Sequence, residues 1–333
     1  MGIKELNPFL NKNAPSGVQE FDLCFYKGKS IAIDTSIYLY KYLYGNGNHL
    51  EKFFQQIYRL RINQITPIYI FDGKPPPQKN NEILHRQNRK QAQQEKLESL
   101  KIIYEQNQDD KILSVDLKKE IKKMEHKIIN VKKQHILDLK YMFNLLNVKY
   151  IQAENCEADV ICSQLCKNEV VDMILSDDMD LLVGGANLLL RNFSINSNKI
   201  TSYDVTNIRN ILKLSYDQWV DFCILCGCDY LKRIRGLGPQ LSYKYILRFG
   251  DIKSILEFLK THKKCKIPEN YNYEKARELF NSTDGYKEEY NNIVLSMEDL
   301  FENQLNNIKK YLLKNTRFDE NQLNDRLKII YNL

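Results

Sequence analysis

The chain has 333 residues, of which 43% are hydrophobic and 27% are charged, and its net charge is +7 at pH 7. Such a chain can bury a substantial core in one large domain or two, and it contains no apolar run near the roughly 20 residues that span a membrane. Its eight cysteines occur without an N-terminal export pattern, which favours reduced thiols over a disulfide framework. These properties argue against a membrane-embedded protein and a disulfide-stapled secreted domain, and the positive charge favours an anionic partner.

Two early segments have the pattern of a buried strand that ends on an acid. Residues 29–34 predict a strand ending at Asp34, and residues 67–72 predict another ending at Asp72, before a Gly and Pro break. Residues 50–63 between them have helical spacing, and the β-α-β order favours a parallel sheet. Because ligands bind beyond the carboxyl ends of such strands, both acids are candidates for one site.

A long basic segment follows over residues 78–133, on a polar and helix-prone background. We predict two helices there, separated by a break at Asp109 and Asp110. A solvated helical face is the ordinary interpretation of such a charge run. The run, however, follows a strand-end acid directly and has no matching apolar stripe, which favours a mobile clamp for phosphate.

More acids follow later predicted elements. An amphipathic helix and a short strand are predicted over residues 134–151, after which Glu157 and Asp159 lie where the next helix begins. Acids in that position ordinarily only complement the helix dipole. The strand predicted over residues 171–175 ends in an acidic cluster, Asp177 to Asp180, that is costly to bury without a cation.

An apolar helix predicted up to Cys226 stops at Gly227, with Asp229 just beyond. The spacing of Cys223, Cys226 and Cys228 resembles zinc ligands, but no second pair of Cys or His completes a site, so we interpret them as buried small side chains.

A glycine-rich turn comes next, at residues 234–239, before a helix predicted over residues 240–249. Gly236 and Gly238 permit a tight turn with outward-facing amides, and Pro239 fits the first position of a helix. Such a turn can hold phosphate through main-chain N–H groups and a helix N-terminus.

In this order, the segments resemble the flap endonucleases of the XPG-like structure-specific 5′ nuclease family, from residue 1 to about residue 280. The motifs that carry the resemblance are Met1-Gly2-Ile3, Ala32-Ile33-Asp34, Phe71-Asp72-Gly73-Lys74-Pro75-Pro76, Glu157-Ala158-Asp159, Asp177-Asp178-Met179-Asp180-Leu181, Gly227-Cys228-Asp229-Tyr230 and Ile234-Arg235-Gly236-Leu237-Gly238-Pro239. The resemblance implies an α/β fold with a central, mostly parallel sheet flanked by helices, a PIN-like nuclease core, a helical arch and a helix-two-turn-helix element.

The resemblance also implies a domain division. The nuclease domain would cover residues 1–265, and a helical tail over residues 266–333 would pack on the core. Within the nuclease domain, the expected parts are the first half of the core (1–77), the arch and cap (78–133), the second half of the core (134–230) and the helix-two-turn-helix (231–250).

Members of this family bind two Mg²⁺ ions, for which Mn²⁺ can substitute, through seven carboxylates. The matching positions here are all acidic: Asp34, Asp72, Glu157, Asp159, Asp178, Asp180 and Asp229. Asp159 stands where most members have Glu, and Asp177 falls where a non-liganding acid is common. Oxygen ligands of this kind suit divalent ions that assist phosphodiester hydrolysis.

Other residues match positions that contact DNA. Lys79 and Arg86 match basic residues at the base of the arch that help to polarise the scissile phosphate, and Tyr40 matches an aromatic that stacks on a base. The remaining expected DNA contacts are Gly2, Arg89, Lys90, Lys132, Gly236 and Gly238. The helix-two-turn-helix of relatives also binds a monovalent cation, so K⁺ is expected there.

The implied activity is cleavage of 5′ flaps on branched DNA by a monomeric enzyme without membrane association, in replication and repair. One alternative is a 5′ to 3′ exonuclease of the same superfamily, to which the sequence around Cys228-Asp229 is closer. Another is a non-catalytic scaffold for branched DNA, which predicts lost acids, and none is lost.

Recruitment by the sliding clamp is doubtful, because residues 300–333 contain no Gln-x-x-Leu-x-x-Phe-Phe motif. The resemblance implies a nuclear location, or a cytoplasmic one if the source is a large DNA virus.

Overall fold

The computed structural model describes residues 2–44, 47–107, 111–128, 130–262, 265–281 and 302–331. The predicted break at Asp109 and Asp110 lies outside these residues. In chain order the elements are α1 (Leu6–Asn13), β1 (Val18–Asp22), β2 (Ser30–Asp34), α2 (Thr35–Leu43), α3 (His49–Ile62), β3 (Thr66–Phe71), α4 (Asn80–Gln106), α5 (Lys111–Glu125), α6 (Lys133–Leu145), β4 (Tyr150–Gln152), α7 (Ala158–Lys167), β5 (Met173–Leu175), α8 (Leu181–Gly184), β6 (Leu188–Arg191), β7 (Lys199–Asp204), α9 (Val205–Leu212), α10 (Tyr216–Cys226), α11 (Pro239–Phe249), α12 (Ile252–Thr261), α13 (Tyr273–Asn281), α14 (Glu302–Asn315) and α15 (Glu320–Tyr331).

The described residues form a sheet with the strand order β1-β7-β6-β5-β2-β3-β4. The strands from β6 to β4 all pair in parallel, which confirms the predicted mostly parallel sheet. At the other end, β7 pairs antiparallel with β6 and with β1. The parallel strands therefore point their carboxyl ends, and the acids that follow them, toward one edge of the sheet.

Apolar side chains cover both faces of the sheet. Successive residues of β2 point to opposite faces and so belong to two different cores. Ala32 faces a core shared with α7 and α10, which contains Trp219 and Phe222. Ile31 and Ile33 face the opposite core, which is shared with α3 and α6. Because side chains alternate along a strand, one short apolar sequence supports two helical layers.

The helices after residue 301 pack on the outside of α3. Ile308 and Leu312 of α14 and Leu327 of α15 are buried in the core on that side of the sheet. The side chain of Asn48 also donates a hydrogen bond to the carbonyl of Asn315. These contacts attach the last described helices to the α/β core.

A helical hairpin of α4 and α5 rises beside the sheet edge, and we call it the arch. Its helices are joined by the ion pairs Lys96–Glu120 at 3.8 Å and Lys101–Glu125 at 2.6 Å. At its base, the side chain of Lys90 contacts that of Asn130. Exposed ion pairs contribute only about 0–1 kcal/mol each, so these two pairs add little to the stability of the arch.

The cysteines are free thiols, and Cys223, Cys226 and Cys228 are buried in the core. The interpretation of these three as small buried side chains is confirmed. No helix within the described ranges is long and apolar enough to cross a bilayer.

Candidate active site

Asp34 ends β2 and caps α2 at the same time. Its Oδ1 accepts a hydrogen bond from the backbone N–H of Ile37 at 3.3 Å, and its Oδ2 accepts one from Ser176 Oγ at 3.2 Å. The residue is buried. Burial, reinforced by the negative charges of Asp72 and Asp178, raises the pKa of Asp34 to about 8. Without added positive charge, this carboxyl group therefore favours its protonated form.

Asp72 follows β3 and is held against the start of α7. Its Oδ1 accepts a hydrogen bond from the backbone N–H of Ala158 at 2.8 Å. The next residue fixes this approach, since Gly73 donates its N–H to the carbonyl of Cys156 at 2.9 Å. A Cβ at Gly73 would lie 2.6 Å from the carbonyl oxygens of both Ala153 and Cys156. Only glycine lets the two loops approach this closely.

Glu157 and Asp159 lie at the N-terminus of α7. Glu157 forms an ion pair with Lys79, Oε2 to Nζ at 2.8 Å, and both side chains are largely buried. Burial raises the pKa of Asp159, and the charges of Asp34 and Asp178 raise it further. The two acids thus join the group formed by the ends of β2, β3 and β5.

Asp178 and Asp180 follow β5 and are both buried. Asp178 Oδ1 accepts a hydrogen bond from the backbone N–H of Asp180 at 3.1 Å. Asp180 Oδ1 is buried and has no hydrogen-bond partner among the residues that the structure describes. Burial raises the pKa of Asp180, followed by repulsion from Asp178 and Asp229.

Gly2 packs directly on this pair. A Cβ on Gly2 would lie 2.2 Å from Asp178 Oδ1 and 2.7 Å from the backbone nitrogen of Asp180. The structure therefore places Gly2 among the acids, where any side chain would displace Asp178.

Asp177 uses its side chain elsewhere. Its Oδ2 pairs with Lys41 Nζ at 3.0 Å, and its Oδ1 accepts the backbone N–H of Asn192 at 2.8 Å. These contacts separate it from Asp178 and Asp180.

Two cations reach the acids from the arch side. Arg86 of α4 pairs with Asp229, NH2 to Oδ2 at 2.7 Å, and Lys79 pairs with Glu157. Burial acts to lower the pKa of Lys79, but Tyr230, Asp159 and Glu157 outweigh it and raise that pKa above its ordinary value. Lys79 is therefore a permanent positive charge at the rim of the site.

The acids fit divalent metal by their chemistry rather than by their present spacing. Among the described residues, no three His, Cys, Asp or Glu side chains are close enough together to hold an ion as they stand. Glu157 and Asp229 bind Lys79 and Arg86 instead. The unpartnered oxygen of Asp180 and the raised pKa values of Asp34, Asp159 and Asp180 nevertheless mark a cluster short of positive charge. Hard oxygen donors in this number fit Mg²⁺ or Mn²⁺.

The other residues expected to contact DNA lie on α2, on α4, just before α6 or at the turn before α11. Tyr40 is 52% exposed on α2, and Arg89 and Lys132 are also exposed. Lys90 is partly buried and contacts Asn130.

The turn before α11 has the predicted geometry. Gly236 has φ of 87°, in the left-handed region, and Leu237 donates its N–H to the carbonyl of Ile234 at 3.0 Å. Gly238 caps α11, and Pro239 occupies its first turn. A Cβ at Gly238 would meet no described atom within 4 Å.

One ion pair behind the site was missed from the sequence. Asp221, inside the apolar helix α10, is 1% exposed and forms two hydrogen bonds with the Arg277 guanidinium of α13. It also accepts the backbone N–H of Ile252 at 3.1 Å. The only signal in the sequence is an acid within an apolar helix, which calls for a partner without naming it.

Comparison with known families and proteins gives consistent matches. Residues 1–93 match the XPG N-terminal domain, and residues 147–229 match the XPG I-region. The chain is 35% identical to flap endonuclease 1-A of Sorghum bicolor over 298 residues, covering 84% of this chain and 75% of that protein. It is 32% identical to flap endonuclease 1 of Entamoeba histolytica over 356 residues, covering 100% and 88%.

Solved structures of low sequence identity share the fold. The catalytic core of Rad2 in complex with a DNA substrate is similar with a TM-score of 0.71 and 17% identity, over 99% of this chain and 100% of that one. The Holliday junction-resolving enzyme GEN1, in complex with product DNA and a Mg²⁺ ion, is similar with a TM-score of 0.66 and 18% identity, over 96% and 77%. With both XPG regions matched and the identity extending over most of its length, the chain belongs to the flap endonucleases of the XPG-like nuclease family.

Proposed function

We propose that this chain is a structure-specific 5′ flap endonuclease, which hydrolyses a DNA phosphodiester bond near the junction of single and double strands. One observation carries the proposal. Acids from the ends of β2, β3, β5 and α10 and from the start of α7 lie at one edge of the sheet, where Lys79, just before α4, and Arg86, within α4, pair with two of them.

Two divalent ions, Mg²⁺ or in its place Mn²⁺, would be held by Asp34, Asp72, Glu157, Asp159, Asp178, Asp180 and Asp229. When bound, ions of this kind supply an activated water and neutralise charge on the reacting phosphate. They would also supply the positive charge that the buried carboxyl groups lack.

Lys79 and Arg86 are proposed to contact the scissile phosphate. Each now pairs with a carboxylate of the site, through Glu157 and Asp229. Ion binding to those carboxylates would release both cations toward the phosphate oxygens, where their charge stabilises the transition state.

We propose the path of the DNA from the positions of the aromatic, basic and glycine residues described above. Tyr40 would stack on a base near the cleaved bond, and Arg89, Lys90 and Lys132 would contact phosphates of the strand that passes the arch. The amides at Gly236 and Gly238, with K⁺ bound nearby, would hold the duplex backbone. Gly2 would contribute by leaving room beside Asp178.

The same proposal assigns the chain to DNA replication and repair, acting as a monomer. The compartment would be the nucleus, or the cytoplasm for a large DNA virus. Residues 1–265 would form the nuclease domain, and residues 266–333 its tail.

The decisive experiment uses a 5′-labelled double-flap DNA with Mg²⁺ and sizes the product. A flap endonuclease releases the flap as one labelled oligonucleotide, and omission of Mg²⁺ with added EDTA stops the reaction. Release of mononucleotides instead would support the exonuclease, and binding of the flap without any cleavage would support the scaffold.

A further inference from the structure

The aromatic ring of Tyr230 contacts both Lys79 and Phe280. Lys79 Nζ lies 5.3 Å from the centre of the Tyr230 ring while it pairs with Glu157 at 2.8 Å. An ammonium group over an aromatic face is attracted by the negative charge density of the ring. Lys79 is thus held from two directions, by a carboxylate and by a ring face.

The ring is itself supported from behind. Phe280 of α13 meets Tyr230 edge to face, with ring centres 5.3 Å apart and planes at 75°. Phe280 is buried. Tyr230 and Phe280 also line a small cavity of about 30 Å³ with Asp159, Asp180 and Ser163. The Tyr230 ring therefore forms part of the wall beside two of the acids.

Helix α13 is anchored at both ends of the segment that carries Phe280. Arg277 binds the buried Asp221 of α10. At the other end, the Tyr216 hydroxyl lies 3.1 Å from the carbonyl oxygen of Val183 and 3.3 Å from Asn281 Oδ1, so its one proton is shared between these two acceptors. A rigid series of contacts runs from α10 through α13 and Tyr230 to Lys79.

We propose that Tyr230 is a positioning residue for Lys79, and that its ring face, supported by Phe280, keeps the Lys79 ammonium aimed into the site when Glu157 is taken by metal. The proposal rests on the function proposed above. It concerns the ring face alone, because the cation interaction needs no hydroxyl group. Once Glu157 turns to a metal ion, the ring is the remaining described contact that restrains Lys79.

The test compares Tyr230→Leu with Tyr230→Phe, under single-turnover conditions on a double flap with saturating Mg²⁺. We expect Tyr230→Leu to slow cleavage about tenfold, the scale of one lost cation–ring contact, with the Kd for the flap within about twofold of wild type. Tyr230→Phe keeps the face and should cleave within about twofold of wild type. Tyr311→Leu removes a comparable edge-to-face ring contact, to Tyr141 on the opposite side of the sheet, and controls for a general loss of packing.

A double-mutant cycle with Lys79→Ala separates positioning from a structural role. We expect Tyr230→Leu to have no further effect on the rate in a Lys79→Ala background, because the residue acts through Lys79. The inference is overturned if Tyr230→Leu cleaves like wild type, if Tyr230→Phe is as slow as Tyr230→Leu, or if the same tenfold loss recurs on Lys79→Ala. A wild-type chain that does not cleave flaps would instead overturn the proposed function.

Should Tyr230→Leu fail to fold, as judged by its thermal unfolding midpoint, Phe280→Leu provides the second measurement. It leaves the Tyr230 ring but removes its support, and we expect about threefold slower cleavage, again absent on Lys79→Ala. Cleavage at the wild-type rate by a folded Phe280→Leu would contradict the support assigned to α13.

Discussion

A single carboxyl group in this protein serves both the fold and the chemistry. Asp34 ends a central strand, caps α2 and accepts a hydrogen bond from Ser176. A neutral amide can keep the strand end and the cap, and its NH2 group can donate to Ser176 Oγ where the carboxylate accepts from it, whereas only the carboxylate can bind a cation strongly. Substitution by asparagine therefore separates the structural roles of Asp34 from its charge.

Asp34→Asn is expected to change how stability depends on pH. Burial, with the charges of Asp72 and Asp178, raises the pKa of Asp34 from 3.8 to about 8. The folded state then keeps a proton that the unfolded state has released. This contribution to stability is fully present below pH 3.8 and is lost as the pH rises toward 8. In EDTA, the thermal unfolding midpoint of the variant should therefore fall less than that of wild type between about pH 5 and about pH 8.

Mg²⁺ provides the complementary measurement. At about pH 8 the ion should raise the unfolding midpoint of wild type, and raise that of Asp34→Asn much less, because a ligand stabilises only the state that binds it. Equal pH dependence in the two proteins would contradict the role of Asp34.

Asp180→Asn should stop cleavage, because Asp180 Oδ1 is buried without a partner in the acid cluster. We expect the single-turnover rate to fall more than about a hundredfold, with flap affinity changed less than about threefold. Asp177→Asn is the matched control, since its side chain binds Lys41 and Asn192 outside the cluster. Similar losses of cleavage rate in both variants would contradict the assignment of Asp180, and not Asp177, to the active site.

The sequence predicts the acids but not the partners of all of them. Asp34 and Asp72 could be found because each ends an apolar run of strand length. The pairing of Asp177 with Lys41 and of Asp221 with Arg277 could not, since it depends on how distant helices pack.

Among the helices, α13 is held to α10 by the ion pair between Arg277 and Asp221. Arg277→Met would leave Asp221 1% exposed, with the N–H of Ile252 as its one remaining partner among the described residues. Breaking a buried pair costs about 3–5 kcal/mol, and the partial exposure of Arg277 places the expected loss near the lower end. Urea unfolding should detect it.

Lys275→Met on the same helix is the control. Lys275 pairs with Glu278 at the surface, and its side chain is 46% exposed, so the free energy of unfolding should change by less than about 0.5 kcal/mol. A loss for Arg277→Met no larger than this would mean that Asp221 is relieved in another way, such as by taking up a proton.

The sheet illustrates which elements sequence patterns capture. The parallel strands are short apolar runs before acids or turns, and these are recognisable. The antiparallel edge was not predicted: β1 carries mostly exposed side chains, and its place beside β7 depends on pairing across more than 170 positions. A polar turn at residues 194–198 is the available hint that β6 and β7 form a hairpin.

For the molecule as a whole, the proposal predicts strongly salt-dependent DNA binding. Each phosphate contact contributes about −0.9 to the slope of log affinity against log salt. Arg89→Gln, which removes one exposed cation of the arch, should reduce the magnitude of the slope by about one and weaken binding to flaps of any sequence alike. Measurement of Kd at several KCl concentrations tests this.

Lys328→Gln is the corresponding control. It removes the same charge from α15, behind α3 and away from the sheet edge that bears the acids, and should leave the slope unchanged. Equal changes in both variants would mean that net charge, rather than the arch, sets the salt dependence.

The arch has one more consequence, for how such an enzyme can diversify. Its helices are connected by the contact of Lys90 with Asn130, which follows α5, and by the exposed ion pairs Lys96–Glu120 and Lys101–Glu125. The acids, in contrast, are fixed by buried strand ends and by Gly73. Under the proposed function, the width and charge of the arch can therefore change while the acids keep their positions, so that the choice of substrate and the chemistry can evolve separately.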